Sequence, residues 1–116
     1  MDKKVQKIRS VEEQILRNLL IVADGHGYVP CYIGSPGERD GVRVRTHEEA
    51  IKEVFELDDA DVTFRGKNSR VGKDGKWGDA FYVRLVGGND EDFISDYSAT
   101  NIAEKIVEDT LTASGI

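Results

Sequence analysis

Four acidic residues lie close together near the C-terminal third of the chain, and carboxylates at such spacing could hold a divalent cation. They are Asp90, Glu91, Asp92 and Asp96. An EF-hand calcium loop counted from Asp90 would need an oxygen ligand at position 5, glycine at position 6 and glutamate at position 12. Those positions hold isoleucine, serine and asparagine, so the calcium-loop pattern fails. A magnesium site formed by Asp90, Asp92 and Asp96 is an alternative that the sequence leaves open.

A tight turn between two strands explains the same segment without a metal. Residues 87–90 read Gly-Gly-Asn-Asp. Glycine accommodates the positive φ that such turns need, and Asn and Asp hydrogen-bond to their own backbone. Asp96 or Ser98 would then cap the last helix. The turn is our favoured interpretation, and we predict no resident metal and no cofactor.

The second candidate site is a glycine- and lysine-rich segment, residues 66–79, which we call the basic loop. Several cations with one tryptophan could follow phosphates and stack a base. The same cations could instead dock onto an acidic protein surface, including the acidic C-terminal region of another copy. An ordinary solvated loop with Trp77 folded onto the sheet is the third interpretation. The candidate interaction residues are Arg65, Lys67, Arg70, Lys73, Lys76 and Trp77.

The single cysteine, Cys31, excludes an internal disulfide. Cys31 could act as a nucleophile with His26 or His47 as its base. A lone cysteine in an apolar strand is more typical of a small buried residue. The glycine-rich stretches match neither the dinucleotide fingerprint nor the phosphate-binding loop. The sequence offers no catalytic set of residues, and we predict that the protein is not an enzyme.

The length, net charge and cysteine content limit the kinds of protein that this chain can be. A chain of 116 residues fits one domain, and its net charge of −6 argues against a general binder of DNA or anionic membranes. The charge is uneven, because residues 1–9 carry a net charge of +3 and residues 65–87 carry +4 within an otherwise acidic chain. With one cysteine and neither a signal-peptide nor a membrane-span pattern, we expect a cytoplasmic protein without a membrane partner.

Three helices are predicted from apolar residues at three- and four-residue steps. A capping box, Ser10 to Glu13, predicts the start of the first helix, and Gly25 and Gly27 predict its end. Residues 1–9 either extend this helix or form a basic tail. Thr46 begins a second capping box before an apolar face that ends near Phe55. The last helix is predicted from about Ala99 to Leu111.

Five strands are predicted between these helices, at residues 28–33, 42–45, 61–65, 80–86 and 93–97. Pro30 lacks an amide donor, so the first strand should lie at a sheet edge. The last three strands are joined without helices, which favours an antiparallel meander. Residues 10–116 are therefore predicted to form one α+β, two-layer domain in the order α-β-β-α-β-β-β-α, with three helices on one face of the sheet.

The run from Thr46 to Ser98 resembles a family of small uncharacterised proteins carried by phages and plasmids. The shared features are an acidic helix (HEEAIKEVF), an Asp-rich approach to a strand (DDADVTF), an aromatic strand, and the pair Gly-Asn-Asp and Ile-Ser-Asp-Tyr. The resemblance implies an accessory role on a mobile element and assigns no catalytic residue.

Together these observations favour a small non-enzymatic accessory or regulatory protein that binds a protein partner, or itself, through charged surfaces. One form is an acidic inhibitor that occupies the nucleic-acid-binding surface of another protein. The alternative is a nucleic-acid-binding module that uses the basic loop, and a metal-dependent enzyme is the second alternative.

Overall fold

The computed structural model of the chain describes residues 3–36, 41–73, 78–87 and 93–115. These residues form three helices and a five-stranded sheet in the predicted order α-β-β-α-β-β-β-α, so the α+β class is confirmed. The elements are α1 (Lys3–Gly25), β1 (Tyr28–Gly34), β2 (Gly41–Arg43), α2 (His47–Phe55), β3 (Asp59–Gly66), β4 (Ala80–Val86), β5 (Ile94–Tyr97) and α3 (Asn101–Ala113).

The helix ends correct two of the predicted caps. Helix α1 already begins at Lys3, so Ser10 lies inside the helix and does not cap it. Thr46 caps α2 as predicted, because its hydroxyl accepts from the amide of Glu49 at 3.1 Å. Helix α3 is capped by Thr100 and not by Asp96 or Ser98. The hydroxyl of Thr100 lies 3.2 Å from the amide three residues later, which is the spacing of an N-cap bond.

The sheet has the strand order β2-β1-β3-β4-β5, and every neighbouring pair is antiparallel. The β3-β4-β5 meander is as predicted. The edge position of β1 was wrong, since β1 pairs with β2 on one side and β3 on the other. Pro30 is tolerated because β2 pairs only with residues 32–34 of β1. A bulge between Pro30 and Tyr32 also breaks the ladder with β3 at this point.

The core lies between the sheet and the helices. Along β3 and β4, buried residues alternate with half-buried ones, and the buried side chains Val62, Phe64, Val83 and Leu85 face the helices. The apolar face of α1 meets them with Ile15, Leu16, Leu19 and Leu20. Each such side chain contributes roughly 1.5–3 kcal/mol by leaving water. The fold is therefore two layers, with one sheet face turned toward the helices.

Within the described residues, no helix is both long enough and apolar enough to cross a membrane.

Candidate functional site: the open face of the sheet

The face of the sheet that points away from the helices carries polar and aromatic side chains. The strand alternation that buries Val62 and Phe64 turns the residues between them outward. No helix of the described residues covers this side of the sheet. We call this surface the open face. It is formed by Val29, Cys31, Tyr32, Arg43, Asp61, Thr63, Arg65, Tyr82, Arg84 and Asp96.

The strand register lines up four of these side chains in one row across four strands. Arg43 pairs with Tyr32, Tyr32 pairs with Thr63, and Thr63 pairs with Tyr82. Directly opposed side chains on one face of a sheet lie close enough to interact. Because β1 and β4 are two strand spacings apart, the two tyrosines stand about 10 Å from each other. The centre of the open face is thus a row of one arginine and two tyrosines around a small threonine.

Tyr32 is positioned by a glycine on the neighbouring strand. A methyl group added at Gly41 would lie 2.5 Å from Cε1 and Cζ of Tyr32 and 2.6 Å from the carbonyl oxygen of Ile33. The tyrosine ring therefore rests directly on the backbone of β2, where only glycine leaves room for it. This contact holds an amphipathic ring in a defined place on the open face.

A second row, Asp61, Arg84 and Asp96, crosses β3, β4 and β5. Arg84 donates to both carboxylate oxygens of Asp61, at 2.8 and 3.2 Å. The hydrogen bond to Asp61 and the charge of Asp61 raise the pKa of Arg84. The guanidinium also stands 5.8 Å from the centre of the Tyr82 ring. This row is an ordered network in which one cation lies between two acids.

The phenol of Tyr82 joins the two rows. Its hydroxyl donates to Asp96 at 3.0 Å. This hydrogen bond is the main reason that the pKa of Tyr82 lies above its ordinary value, with burial as the next cause. Tyr82 therefore remains a neutral hydrogen-bond donor at physiological pH, and its orientation is fixed by Asp96.

Cys31 lies at the β1 bulge, on the part of the open face that carries Arg43 and Arg65. Its thiol donates to the backbone carbonyl of Thr63 at 3.4 Å. Burial raises the pKa of Cys31, and the charges of Arg65 and Arg43 offset only part of that rise. A neutral thiol is a poor nucleophile. No hydrogen bond among the described residues joins it to either predicted base: His26 contacts Asp109 at 3.2 Å, and His47 is the first residue of α2.

The predicted interaction residues do not form one surface in the structure. Arg65 belongs to the open face, where it donates to the carbonyl of Gly66 at 3.3 Å. Lys67 turns toward the helices and pairs with Asp24 at 3.0 Å, so it is not part of that face. Arg70 and Lys73 are exposed on the basic loop. Lys76 and Trp77 lie outside the described residues.

The predicted magnesium ligands are only partly described. Asp90 and Asp92 lie outside the described residues. Asp96 is held by Tyr82 and also accepts from the amide of Tyr97 at 2.9 Å. Within the described part of the chain, no three histidine, cysteine or acidic side chains are grouped so that they could hold a metal ion.

Four residues of the open face were not predicted as interaction residues from the sequence: Tyr32, Arg43, Tyr82 and Arg84. The signal for the last two was present, because Tyr82 and Arg84 alternate with apolar residues along the clearest strand. What the sequence could not supply is the strand order. Only the order β2-β1-β3-β4-β5 places these four side chains on one surface.

A groove of about 300 Å³ lies between α1 and α2, on the helical side of the fold. Arg17 of α1 and Glu48 of α2 meet across it at 2.7 Å. Its remaining walls combine carboxylates and Lys52 with the apolar Ile51 and Phe55. Arg17, the cation at the centre of this groove, is bound by both Glu13 and Glu48.

No protein-family model, no curated protein and no solved structure matches the chain.

Proposed function

We propose that this chain is a small non-enzymatic binding protein, of the accessory kind implied by its resemblance to phage and plasmid proteins, and that its open face docks onto a protein partner. One observation carries the proposal. The row Arg43, Tyr32, Thr63 and Tyr82 is aligned on a sheet face that no described helix covers.

The residue types on this face are those of protein interfaces. Tyrosine and arginine are enriched among the residues that contribute most to protein–protein binding. Here Tyr32 is fixed on Gly41 and Tyr82 is fixed by Asp96, so little side-chain entropy is lost when a partner binds. A face with preorganised aromatic rings and paired charges favours a protein surface of mixed polarity.

The charge layout supports the same proposal. From Ser10 onward, acidic side chains outnumber basic ones on the outer surfaces of the helices. The exposed or half-buried acids there are Glu13, Asp24, Glu48, Glu49, Glu53, Glu104, Glu108 and Asp109, against Arg17, Lys52 and Lys105. The open face and the basic loop hold most of the remaining described cations. Such segregation orients a charged partner during encounter and makes the association rate depend on salt.

The test is capture of the partner from the host with a pair of matched variants. Thr63→Arg places a long charged side chain in the centre of the open face, and Thr112→Arg places the same side chain on the exposed surface of α3. Each variant is checked for folding by circular dichroism before use. We expect that the partner bound by the unmodified protein is lost with Thr63→Arg and retained with Thr112→Arg.

The reverse result would overturn the proposal. If the captured protein were retained by folded Thr63→Arg and lost by Thr112→Arg, the binding surface would be on the helices. If both variants retained it, neither surface would be the interface, and the open face would have no role in binding.

Nucleic acid is the second candidate ligand, and one observation favours it. Arg70 and Lys73 are exposed near Arg65, at the end of the sheet where the basic loop begins. A gel shift on single-stranded DNA and RNA at low salt tests this candidate. A shift abolished by Arg70→Glu with Lys73→Glu would support it, and no shift would remove it.

A further inference from the structure

We infer that the partner of the open face is a second copy of this chain, and that two copies meet open face to open face in a symmetric dimer. The inference rests on the proposed function and names the partner. A symmetric contact of this kind is closed, because each copy uses the same surface and the contact does not extend to further copies.

The charge of the open face differs from that of the rest of the chain. Its ten residues include three arginines and two aspartates, so the face carries a net charge of +1. The whole chain carries −6, so the residues outside the open face carry −7. Two copies therefore repel each other when their acidic helices approach. The same repulsion turns the helices outward and leaves the open faces toward each other during an encounter.

Partners of strong charge fit this face less well than a second copy does. A strongly basic protein would be drawn to the acidic helices in preference to the open face, and a strongly acidic one would be repelled by the net charge of −6. On the open face itself, Arg84 is already paired with Asp61 at 2.8 Å. The face therefore fits an aromatic, polar surface of nearly balanced charge, which is what the open face of another copy supplies.

Thr63 marks the centre of such a contact. It lies on β3, the third of the five strands, and it is the outward residue midway between Asp61 and Arg65. Its small side chain stands between Tyr32 and Tyr82 and leaves room for side chains of the other copy. Sheets packed face to face are about 10 Å apart. A symmetric contact centred on the face thus places the two copies of Thr63 opposite each other.

The size of the face predicts a weak dimer. Four strand spacings of about 4.8 Å and about six residues of about 3.4 Å give a footprint of roughly 400 Å² per copy. The relief of the side chains raises the accessible area that is buried, but the total stays near the lower end of specific interfaces, about 1,000 Å². We therefore expect a dissociation constant in the micromolar range and not a permanent dimer.

The first experiment is sedimentation equilibrium of the whole chain from about 5 µM to about 500 µM, a range that brackets micromolar dissociation constants. The variants are Thr63→Arg and the control Thr112→Arg, which lies on the exposed surface of α3. Both add one positive charge, so they lower the net repulsion equally and differ only in position. Each is checked for folding by circular dichroism.

We expect the unmodified chain to form dimers and no larger species. Thr63→Arg should weaken dimerisation by more than about tenfold, because each copy would bury an unpaired charge at the centre of the contact. Thr112→Arg should change it by less than about twofold, as expected for a distant, screened charge. A chain that stays monomeric over the whole range overturns the inference. So does a dimer that tolerates folded Thr63→Arg.

Cross-linking tests the symmetry with a milder change. In a Cys31→Ser background, Thr63→Cys and the control Thr112→Cys each carry one thiol. A short bismaleimide bridges the roughly 10 Å between packed sheets. We expect covalent dimers of Thr63→Cys to form at least about tenfold faster than those of Thr112→Cys, since a residue at a two-fold axis lies opposite itself. Equal rates, or faster linkage through Thr112→Cys, would contradict a contact centred on the open face.

Salt separates this dimer from one in which the acidic helices of one copy meet the basic loop of another. Two chains of charge −6 repel at long range, so added salt should tighten the open-face dimer. We expect a roughly two- to fivefold tightening between about 20 and 200 mM NaCl, as the screening length falls. Weakening by salt would point to the helix–loop contact and would overturn the inference.

The same variants distinguish failure of this inference from failure of the proposed function. If the chain is monomeric and a different captured protein is lost with Thr63→Arg, the open face is an interface but a second copy is not its partner. If the chain is monomeric and capture is indifferent to Thr63→Arg, both the inference and the proposed function fail.

Discussion

The contact between Gly41 and Tyr32 leads to the sharpest prediction about stability. We consider Gly41→Ala, the smallest change that puts an atom between β2 and the tyrosine ring. The added methyl would lie 2.5 Å from two ring atoms of Tyr32 and 2.6 Å from the carbonyl oxygen of Ile33. The ring can rotate away, because it is the end of a side chain. The carbonyl cannot, because it belongs to the backbone of β1, so the β1–β2 pairing must shift.

The magnitude follows from two opposing effects. Forcing an extra methyl into a packed contact costs about 1–3 kcal/mol. Replacing glycine with alanine also restricts the unfolded chain, which stabilises the protein by about 0.4–1 kcal/mol. Gly41 does not have the positive φ that would add backbone strain. We therefore expect a net loss of about 1.3 kcal/mol in the free energy of unfolding, which is the difference between the middles of these two ranges.

The assay is urea unfolding followed by circular dichroism, with Gly25→Ala as the matched control. Gly25 ends α1 and has no atom within 4 Å of an added methyl, so alanine there should be neutral or stabilising. Tyr32→Ala, alone and combined with Gly41→Ala, completes a double-mutant cycle. The loss should be smaller in the Tyr32→Ala background. The reasoning is refuted if Gly41→Ala is as stable as Gly25→Ala, or if the loss disappears entirely in the Tyr32→Ala background, because the contact with the carbonyl oxygen of Ile33 remains there.

Three further predictions concern stability and reactivity. Because burial raises the pKa of Cys31, its alkylation by iodoacetamide should be slow at pH 7 and accelerate with pH beyond the ordinary thiol range; rapid reaction at pH 7 would contradict this. Thr100→Ala should cost about 1 kcal/mol in urea unfolding by removing the α3 cap, whereas Thr112→Ala on the same helix should cost less; equal losses would refute the cap. The hydrogen bond and charge of Arg17 lower the pKa of Glu48 in the folded protein. The Arg17–Glu48 ion pair therefore stabilises the fold above the ordinary pKa of a glutamate, and this contribution is lost as the pH falls through the lowered pKa of Glu48. Arg17→Gln should thus be less stable than the unmodified protein at pH 7, with a difference that shrinks towards pH 3, and a difference independent of pH would contradict it.

The sequence predicted the elements well because each has a strong local signal. The alternation from Ala80 to Val86 gave β4 its observed bounds, and Thr46 gave α2 its observed cap. The apolar residues at three- and four-residue steps along α3, namely Ala103, Ile106 and Val107, are buried. In these elements local propensity, polarity pattern and tertiary packing agree, so their positions can be predicted from one sequence.

The wrong or missing predictions concern features that depend on contacts between residues far apart in the sequence. Ser10 has the spacing of a capping box, yet α1 continues to Lys3, so the local signal was overruled. Pro30 suggested an edge strand, but the short β2 and the β1 bulge allow proline beside a paired strand. The open face could not be predicted at all, because Arg43 and Tyr82 are far apart in sequence and meet on one surface only through strand order. The basic loop was visible as a charge pattern, but the pairing of Lys67 with Asp24 was not.

The most direct test of the central claim is to map the bound partner on the chain by NMR. Backbone amide shifts of the labelled chain are followed as the captured partner is added. The account predicts that the largest changes lie on the central strands β1, β3 and β4, around Tyr32, Thr63 and Tyr82, with little change on α2 and α3. Changes concentrated on the outer surfaces of α2 and α3, with the strands unaffected, would contradict it.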